Sequence, residues 1–596
     1  MNSGASAEAR RIFRLDAREF AWLTVASLVF AAVFLYPMIC EVGDLGPGVL
    51  SWLRRGPVLE HLARLPSNGD TDLFTDLRWA PYWTVIHFHQ LPFWNPYKCG
   101  GMGMLSNPES SIVTPFFVLY LLAGLRIGLW IDIYLHLAIM FAGGYVLGRV
   151  LDLGKVAATV SAVMFPASSW LYLHLAVGHL NFLPGAYLPW VAALLFISIQ
   201  TKTFMPAVIG GALCALTLTE GNYTFLYTAI IIGSVCSMLT LLQLSIRLFI
   251  SGLVIGVFGL GFAALRLIPM SEQLGIYPKH PFGIEPISMR LISMFLLSRN
   301  QDLFRPRIGF EFALSEYGAY LSAFFIVLAV VGLVSRPLKS LPWLVPAIVF
   351  VLFARGWTGP HSAVFILLYL PMGDSAGLPG RYLIPLVFCL GVIAAYGADF
   401  LCSRFEPWGK RIAVALLVLG LVDSWMVGPP NSRYLFLYPT EPYPYSASFK
   451  QYWTMNTGTM TEINQANMGS VNCQGYGYND IPENPLGYNQ AGYRGEYYLL
   501  GPGTVDQTLW TPNHLRYDVN APGATELVVN QNLYPGWRLR GDGELYDERG
   551  KIAVKMPAGH HSVDLEFTPD QIGLALWITL ATFAASIVIW RLERKG

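Results

Sequence analysis

Charge is scarce in this chain. Asp, Glu, Lys and Arg make up 13% of its 596 residues and nearly cancel, leaving a net charge of +1. That balance excludes a nucleic-acid surface built on excess basic residues. Cysteine is sparse too: Cys40, Cys99, Cys214, Cys236, Cys389, Cys402 and Cys473 form no CxxC and no metal-ligand spacing. No Gly-rich phosphate loop is present and no GxGxxG follows a strand, so a nucleotide cradle is not expected. No small-residue cleavage pattern follows the first apolar run, Phe20 to Cys40, which therefore reads as a span rather than a cleaved leader. The two halves show no internal repeat and no paired interrupted helices, features that many transporters carry.

Apolar sequence is what remains. At 54% hydrophobic residues and a mean hydropathy of +0.46, the chain belongs with polytopic membrane proteins. Arg10, Arg11, Arg14 and Arg18 precede the first span and place the N-terminus in the cytoplasm. Further spans are expected near 128–150, 155–173, 184–200, 204–220, 222–242, 248–268, 318–335, 342–355, 382–402, 412–428 and 571–591, giving about twelve. Loop charge supports this count. Arg149 and Lys155, Lys202, Arg247, Arg336 and Lys339, Arg404, Lys410 and Arg411, and Arg591, Arg594 and Lys595 all fall on the cytoplasmic side. Both termini are then cytoplasmic. Residues 41–127 form a long external loop, within which Ile112–Leu125 is expected to be re-entrant or interfacial. Residues 269–317 and 429–570 are also external.

Residues 429–570 change character, with frequent Gly, Pro, Asn and Tyr and no long apolar run. Alternating stretches such as Glu526–Val529 and His561–Phe567 read as strands. Turn signals separate them at Pro535-Gly536, Gly541-Asp542-Gly543 and Pro557-Ala558-Gly559. The expected organisation is a membrane domain at 1–428, an external β-sandwich at 429–570, and a last span with a cytoplasmic tail at 571–596.

The external loop contains Gly69-Asp70-Thr71-Asp72-Leu73-Phe74-Thr75-Asp76-Leu77-Arg78-Trp79, with three aspartates within seven residues. A helix over 72–80 puts Asp72, Asp76 and Trp79 on one face, and Pro81 is expected to end or kink it. Two nearby carboxylates raise the pKa of one of them, which suits a general base. A solvated, acidic helix start is the plainer alternative.

Several segments resemble the YfhO-like bacterial membrane proteins, which are grouped with the GT-C glycosyltransferases. They are an external Asp followed by Leu91-Pro92-Phe93-Trp94-Asn95-Pro96-Tyr97 and Gly100-Gly101; Gly178-His179 before Tyr187-Leu188-Pro189-Trp190; and Asn532-Leu533-Tyr534-Pro535-Gly536-Trp537, then Asp542-Gly543 and Met556-Pro557-Ala558-Gly559-His560. Glu316-Tyr317-Gly318-Ala319-Tyr320 and Pro379-Gly380-Arg381-Tyr382 look similar to two more family segments. The family tends to show Asp and then Gln four residues on, whereas this chain has Asp72 and Asp76, so either acid, or Asp70, could be the essential one.

The resemblance implies a GT-C-like fold in the bacterial inner membrane. It also implies an inverting, metal- and cofactor-independent transfer of sugar from a polyprenyl-phosphate carrier to an envelope polymer or glycolipid, on the external face. Asp72, Asp76 or Asp70 would be the base. For phosphate, Arg381 lies in a short Gly/Pro-flanked turn before a span and offers a forked donor; snorkelling to headgroups is its alternative. Arg266 is a second candidate. His174 and His179 share an external loop with Asn181, and His-x4-His without a matching acid is a weak metal signature, so hydrogen bonding to sugar or phosphate is the expected role. Glu316 is counted with the substrate-binding residues. Glu220, counted with them too, and Asp132 and Asp423 are costly in lipid and should face a cavity or a partner, with the external interface as the alternative for Asp423. His87 and His89 read as interfacial. The tyrosines crowding 438–493 read mostly as headgroup-level anchors. Two rival readings remain: a transporter or flippase of lipid-linked sugars, and a non-catalytic envelope scaffold.

Overall fold

The computed structural model describes residues 15–38, 69–243, 245–276, 285–301, 314–359, 361–368, 378–436, 445–453, 463–464, 466–471 and 485–595. Side chains at 69–76 lie outside that description, as does all of Cys40 and its possible pairing with Cys99. The helices run α1 Ala17–Phe34, α2 Gly69–Phe88, α3 Phe117–Val150, α4 Lys155–Ala167, α5 Ser169–Ala176, α6 Leu188–Thr201, α7 Met205–Thr219, α8 Asn222–Gln243 and α9 Ile246–Phe262. They continue as α10 Ala264–Ile276, α11 Met289–Leu297, α12 Leu314–Tyr317, α13 Ala323–Ser335, α14 Pro337–Ala354, α15 Val364–Leu368, α16 Leu383–Arg404, α17 Trp408–Val427 and α18 Ile572–Lys595. A 3₁₀ segment, Leu180–Tyr187, leads into α6.

Among the described residues, nine helical stretches are long and apolar enough to cross a membrane, and α9 with α10 adds one span bent by 73°. Two shorter apolar helices, α7 and α13, fall at two more of the expected stretches. The two most enclosed spans, Lys155–Ala176 and Pro379–Arg404, are those whose ends carry His174 and Arg381, whereas α18 is only 11% buried.

One end of the bundle gathers the basic loops. Asp16 caps α1, accepting from the Glu19 amide at 2.6 Å, and the Glu19 carboxylate takes Tyr145 Oη at 2.7 Å and Arg149 Nε at 2.9 Å, with Lys155 Nζ 3.8 Å away. The start of α1 therefore meets the end of α3. The same end holds Gln200 Nε2 on Val150 O (2.8 Å), the Gly154 amide on Asp399 Oδ1 (3.2 Å), Arg247 on Lys202 O, and the Phe204 and Met205 amides on Glu593. All the polar chemistry described below lies at the other end.

Helix α2 continues past Pro81 to Phe88 and does not end there. Proline removes one backbone bond, but Trp79, Trp83 and His87 stack one turn apart, at 5.6 and 4.4 Å between ring centroids, and hold the helix across the gap. Helix α3 starts at Phe117 and breaks at Gly124 (φ 77°, ψ 163°), so the short apolar stretch is a bent lead-in to the span that begins at Ile127.

Residues 445–570 supply β3 Lys450–Tyr452, β4 Met468–Ser470, β5 Tyr497–Leu499, β6 Thr504–Thr511, β7 His514–Ala521, β8 Thr525–Asn532, β9 Trp537–Gly541, β10 Glu544–Glu548, β11 Lys551–Met556 and β12 Gly559–Phe567, after a hairpin of β1 Trp94–Asn95 and β2 Met102–Gly103 in the first loop. Two antiparallel four-stranded sheets, ordered β10-β11-β8-β5 and β6-β7-β12-β9, pack face to face. Period-2 alternation turns Leu515, Tyr517 and Val519 inward against Val563, Leu565, Ile552 and Val554, as a half-buried sheet requires. The expected sandwich is present.

Trp94 also belongs to that core. It is fully buried among Tyr534, Trp537 and Phe567. Its indole N–H donates to Gln531 Oε1 at 2.8 Å and its amide to Asn513 Oδ1 at 2.9 Å. A Cβ on Gly101 (φ 109°) would lie 2.4 Å from the Trp94 ring, so the Gly100-Gly101 turn is needed for this closure. Asn532 Nδ2 reaches Cys99 O and Gly101 O, and Gln90 Nε2 reaches Thr511 Oγ1 at 2.9 Å. Residues 89–116 thus form a strap that fastens the helical bundle to the sandwich.

Candidate functional site

Opposite the basic loops, ionisable side chains form two buried groups beneath the strap. The first starts on α2, where Arg78 Nε donates to Tyr120 Oη at 3.1 Å. Tyr120 Oη donates to Asp132 Oδ2, and Asp132 Oδ1 pairs with His136 Nδ1 at 2.8 Å. His136 Nε2 lies 2.9 Å from Glu220 Oε2 and 3.0 Å from Tyr187 Oη. Tyr187 Oη donates to both Glu220 oxygens at 3.1 Å, and Thr114 Oγ1 donates to Glu220 Oε1. Charges that would be untenable in lipid are thus paired in alternating sign, and only a small void of about 10 Å³ is left among Arg78, Ser111, Thr114, Asp132, His136 and Glu220. Among the described residues the buried Ser111 hydroxyl has no hydrogen-bond partner.

The second group lies on the other side of the Leu180–Tyr187 segment. Arg381 forks onto Glu316, with Nε to Oε2 at 2.6 Å and Nη2 to Oε1 at 2.7 Å. Burial pushes the Glu316 carboxyl upward, but the Arg381 guanidinium together with His179 and His174 holds the group down at about 2. His179 Nδ1 is 3.6 Å from Glu316 Oε1 and 2.9 Å from His174 Nδ1. Phe182 orders both sides, stacking on His174 at 3.9 Å and lying under Arg381 at 5.3 Å. Gly178 (φ 84°) makes the tight turn that folds His179 back, so that its amide bonds to His174 O at 2.9 Å.

The structure brings Arg381, His179, His174 and Glu316 into one cluster and places Glu220 in its neighbour. Arg266 stands apart: it is fully buried where α9 breaks into α10 and donates to Asn107 O in the strap. Arg381 sits in its short turn before α16, largely enclosed and paired with Glu316 rather than snorkelling. Asp70, Asp72 and Asp76 lie on α2, but their side chains are outside the described residues. Asp423 pairs with Tyr320 Oη (2.6 Å) and Arg299 (3.2 Å). His87 and His89 are exposed. Sequence reading missed His136, Tyr120, Tyr187 and Arg78. A signal existed for the first, since Asp132 and His136 are one helical turn apart on the same face. The acid absent from the His-x4-His signature is Glu316, which comes from a segment 137 residues downstream of His179.

No protein-family model matches the chain and no curated protein matches it, so the YfhO-like resemblance rests on its motifs alone. Among solved structures the chain is similar to the arabinofuranosyltransferase AftD from Mycobacteria, with a TM-score of 0.36 and 14% identity over 71% of this chain and 27% of that one. It is also similar to the Archaeoglobus fulgidus oligosaccharyltransferase, with a TM-score of 0.41 and 12% identity over 76% of this chain and 63% of that one. The chain thus spans less than two thirds of either structure. At scores this low, neither likeness fixes its fold or activity.

Proposed function

We propose that the chain is a membrane glycosyltransferase that moves a sugar from a polyprenyl-phosphate carrier to a cell-envelope polymer or glycolipid. One observation carries this reading. Two clusters of buried ionisable side chains lie at the end of the bundle opposite the basic loops, and α2, the helix with the acid cluster, is joined to one of them through Arg78. By the positive-inside rule that end is external, as are the sandwich and the strap.

In this mechanism Asp72 or Asp76 takes the proton of an acceptor hydroxyl, with Asp70 as the remaining alternative. The acceptor oxygen bonds to the anomeric carbon as the bond to the phosphate oxygen breaks, which inverts the configuration. The leaving phosphate keeps the electron pair, and Arg381 and His179 stabilise its charge. Because Arg381 is already forked onto Glu316, phosphate must compete with that carboxylate or use the remaining guanidinium face. The sandwich, fastened by the strap, orients the acceptor.

Purified chain in lipid nanodiscs, given a radiolabelled polyprenyl-phosphate sugar, should release the sugar to an acceptor or to water. Asp72→Asn or Asp76→Asn should lower the rate by about 10²–10⁴-fold with the fold intact. Full activity in both variants and in the double variant would remove these acids from the mechanism. The buried Asp132–His136–Glu220 chain favours one other reading, an ion-coupled transporter of lipid-linked sugars. Carrier flux in sealed vesicles without sugar release would decide for it.

A further inference from the structure

We propose that His174, His179 and Glu316 form a binding site for a borderline divalent cation such as Zn²⁺, with Arg381 orienting the carboxylate. Three buried ligand atoms from two separate segments lie within 4.8 Å of one another. Donors held at about 2.0–2.1 Å on a tetrahedral centre are about 3.4 Å apart. The 2.9 Å between the imidazole nitrogens and the 3.6 Å from His179 to Glu316 bracket that spacing. The third pair, His174 with Glu316, is bounded only by the 4.8 Å limit, so the set closes into a ligand sphere by drawing the carboxylate and the His174 ring together.

The surroundings are built for such a site. His174 is clamped against Phe182, and the Gly178 turn fixes His179 over it, so both rings are positioned before any ion arrives. A ligating carboxylate is ordinarily held by an outer hydrogen-bond partner, and the Arg381 fork supplies one. Two imidazoles and one carboxylate suit Zn²⁺, Co²⁺ or Mn²⁺ and disfavour Mg²⁺ and Ca²⁺, which prefer oxygen. Arg381 beside a dication looks unfavourable until the charges are counted. The ion, Arg381 and Glu316 together leave a net 2+, with a coordination position open. That combination calls for an anion, and a phosphate oxygen matches it. The use of the site by a lipid phosphate rests on the function proposed above; the ion site itself does not.

The test is stoichiometry rather than turnover. Full-length chain in detergent is stripped with chelator, then dialysed against Zn²⁺ or Co²⁺, and bound metal is measured by mass spectrometry and, for Co²⁺, by visible absorption. One ion per chain is expected. His179→Gln and Glu316→Gln, each checked for a monodisperse fold, should bind at least about 10-fold more weakly, and Arg381→Lys should fall about 10–100-fold as an outer-shell change does. His89→Ala, at an exposed histidine, should bind as the parent does. Folded parent protein that takes up neither ion, or a His179→Gln variant with parental affinity, overturns the proposal and leaves a hydrogen-bonded cluster only. Ion binding without sugar transfer would refute the proposed function while sparing the metal site. Transfer by a chain that binds no ion would do the reverse.

Discussion

Trp94→Ala should loosen the β-sandwich although Trp94 lies far from it in sequence. The side chain is fully buried among Tyr534, Trp537 and Phe567, and its indole N–H is bonded to Gln531 Oε1, which is itself buried. Truncating a core tryptophan costs about 3–5 kcal/mol, and leaving the Gln531 oxygen unpaired adds about 1–3 kcal/mol where water cannot reach it. The terms overlap, so about 4 kcal/mol is a fair expectation. Each 1.4 kcal/mol is tenfold in an equilibrium constant, so amide exchange from the most protected strands should speed up about 10³-fold. The assay is hydrogen exchange on peptides covering Thr525–Asn532 and Gly559–Phe567, with Ile231-centred α8 peptides as the membrane reference. Trp94→Phe keeps most of the packing and should lose less protection. If Trp94→Ala changes exchange in those strands by less than about tenfold, the strap is not part of the sandwich core and the coupling inferred from it fails.

Three further outcomes follow from other contacts. Arg381→Leu leaves Glu316 buried and uncompensated and should destabilise the fold by about 3–5 kcal/mol, whereas Arg381→Leu with Glu316→Leu should be much closer to the parent in thermal unfolding; equal losses would mean the pair is not coupled. Glu496 is pushed up to about 7 by burial, despite accepting from the Gln451 amide, Tyr493 and Asn530. The folded chain then keeps a proton that the unfolded chain loses above about 4.5, so stability should fall as pH rises from about 4.5 to 7, by about 3 kcal/mol. Glu496→Gln should flatten that slope, and an unchanged slope would assign it to another group. Single cysteines at Ser67 and Ser446 should both react with an impermeant reagent added outside intact cells; labelling at only one would place the acid loop and the sandwich on opposite sides of the membrane.

Much of the architecture was legible because it depends on local, repetitive signals. Apolar runs and loop charge located the spans, and alternation with turn residues located the sandwich. What escaped depends on long-range contact. Pro81 reads as a break until Trp79, Trp83 and His87 are seen to stack across it. Leu91–Tyr97 stands out as a motif, but only the fold shows Trp94 inside a core formed more than four hundred residues downstream. The histidines of His174–His179 lacked an acid because Glu316 arrives from another segment. The buried chain ending at Glu220 needed Arg78, Tyr120 and Tyr187 from three other places. Charged residues in an apolar chain announce that partners exist; sequence does not say which.

The strap also has a mechanical consequence. A domain held only where its chain enters and leaves can still swing about the line joining those two points. The hairpin at Trp94 and the bonds from Cys99, Gly101 and Gln90 add a third point of attachment, one that belongs to the same loop as α2. Each added point of attachment removes freedom from that swing. The sandwich should therefore move as a rigid extension of α2, and any displacement of that helix would be felt as a tilt of the whole domain.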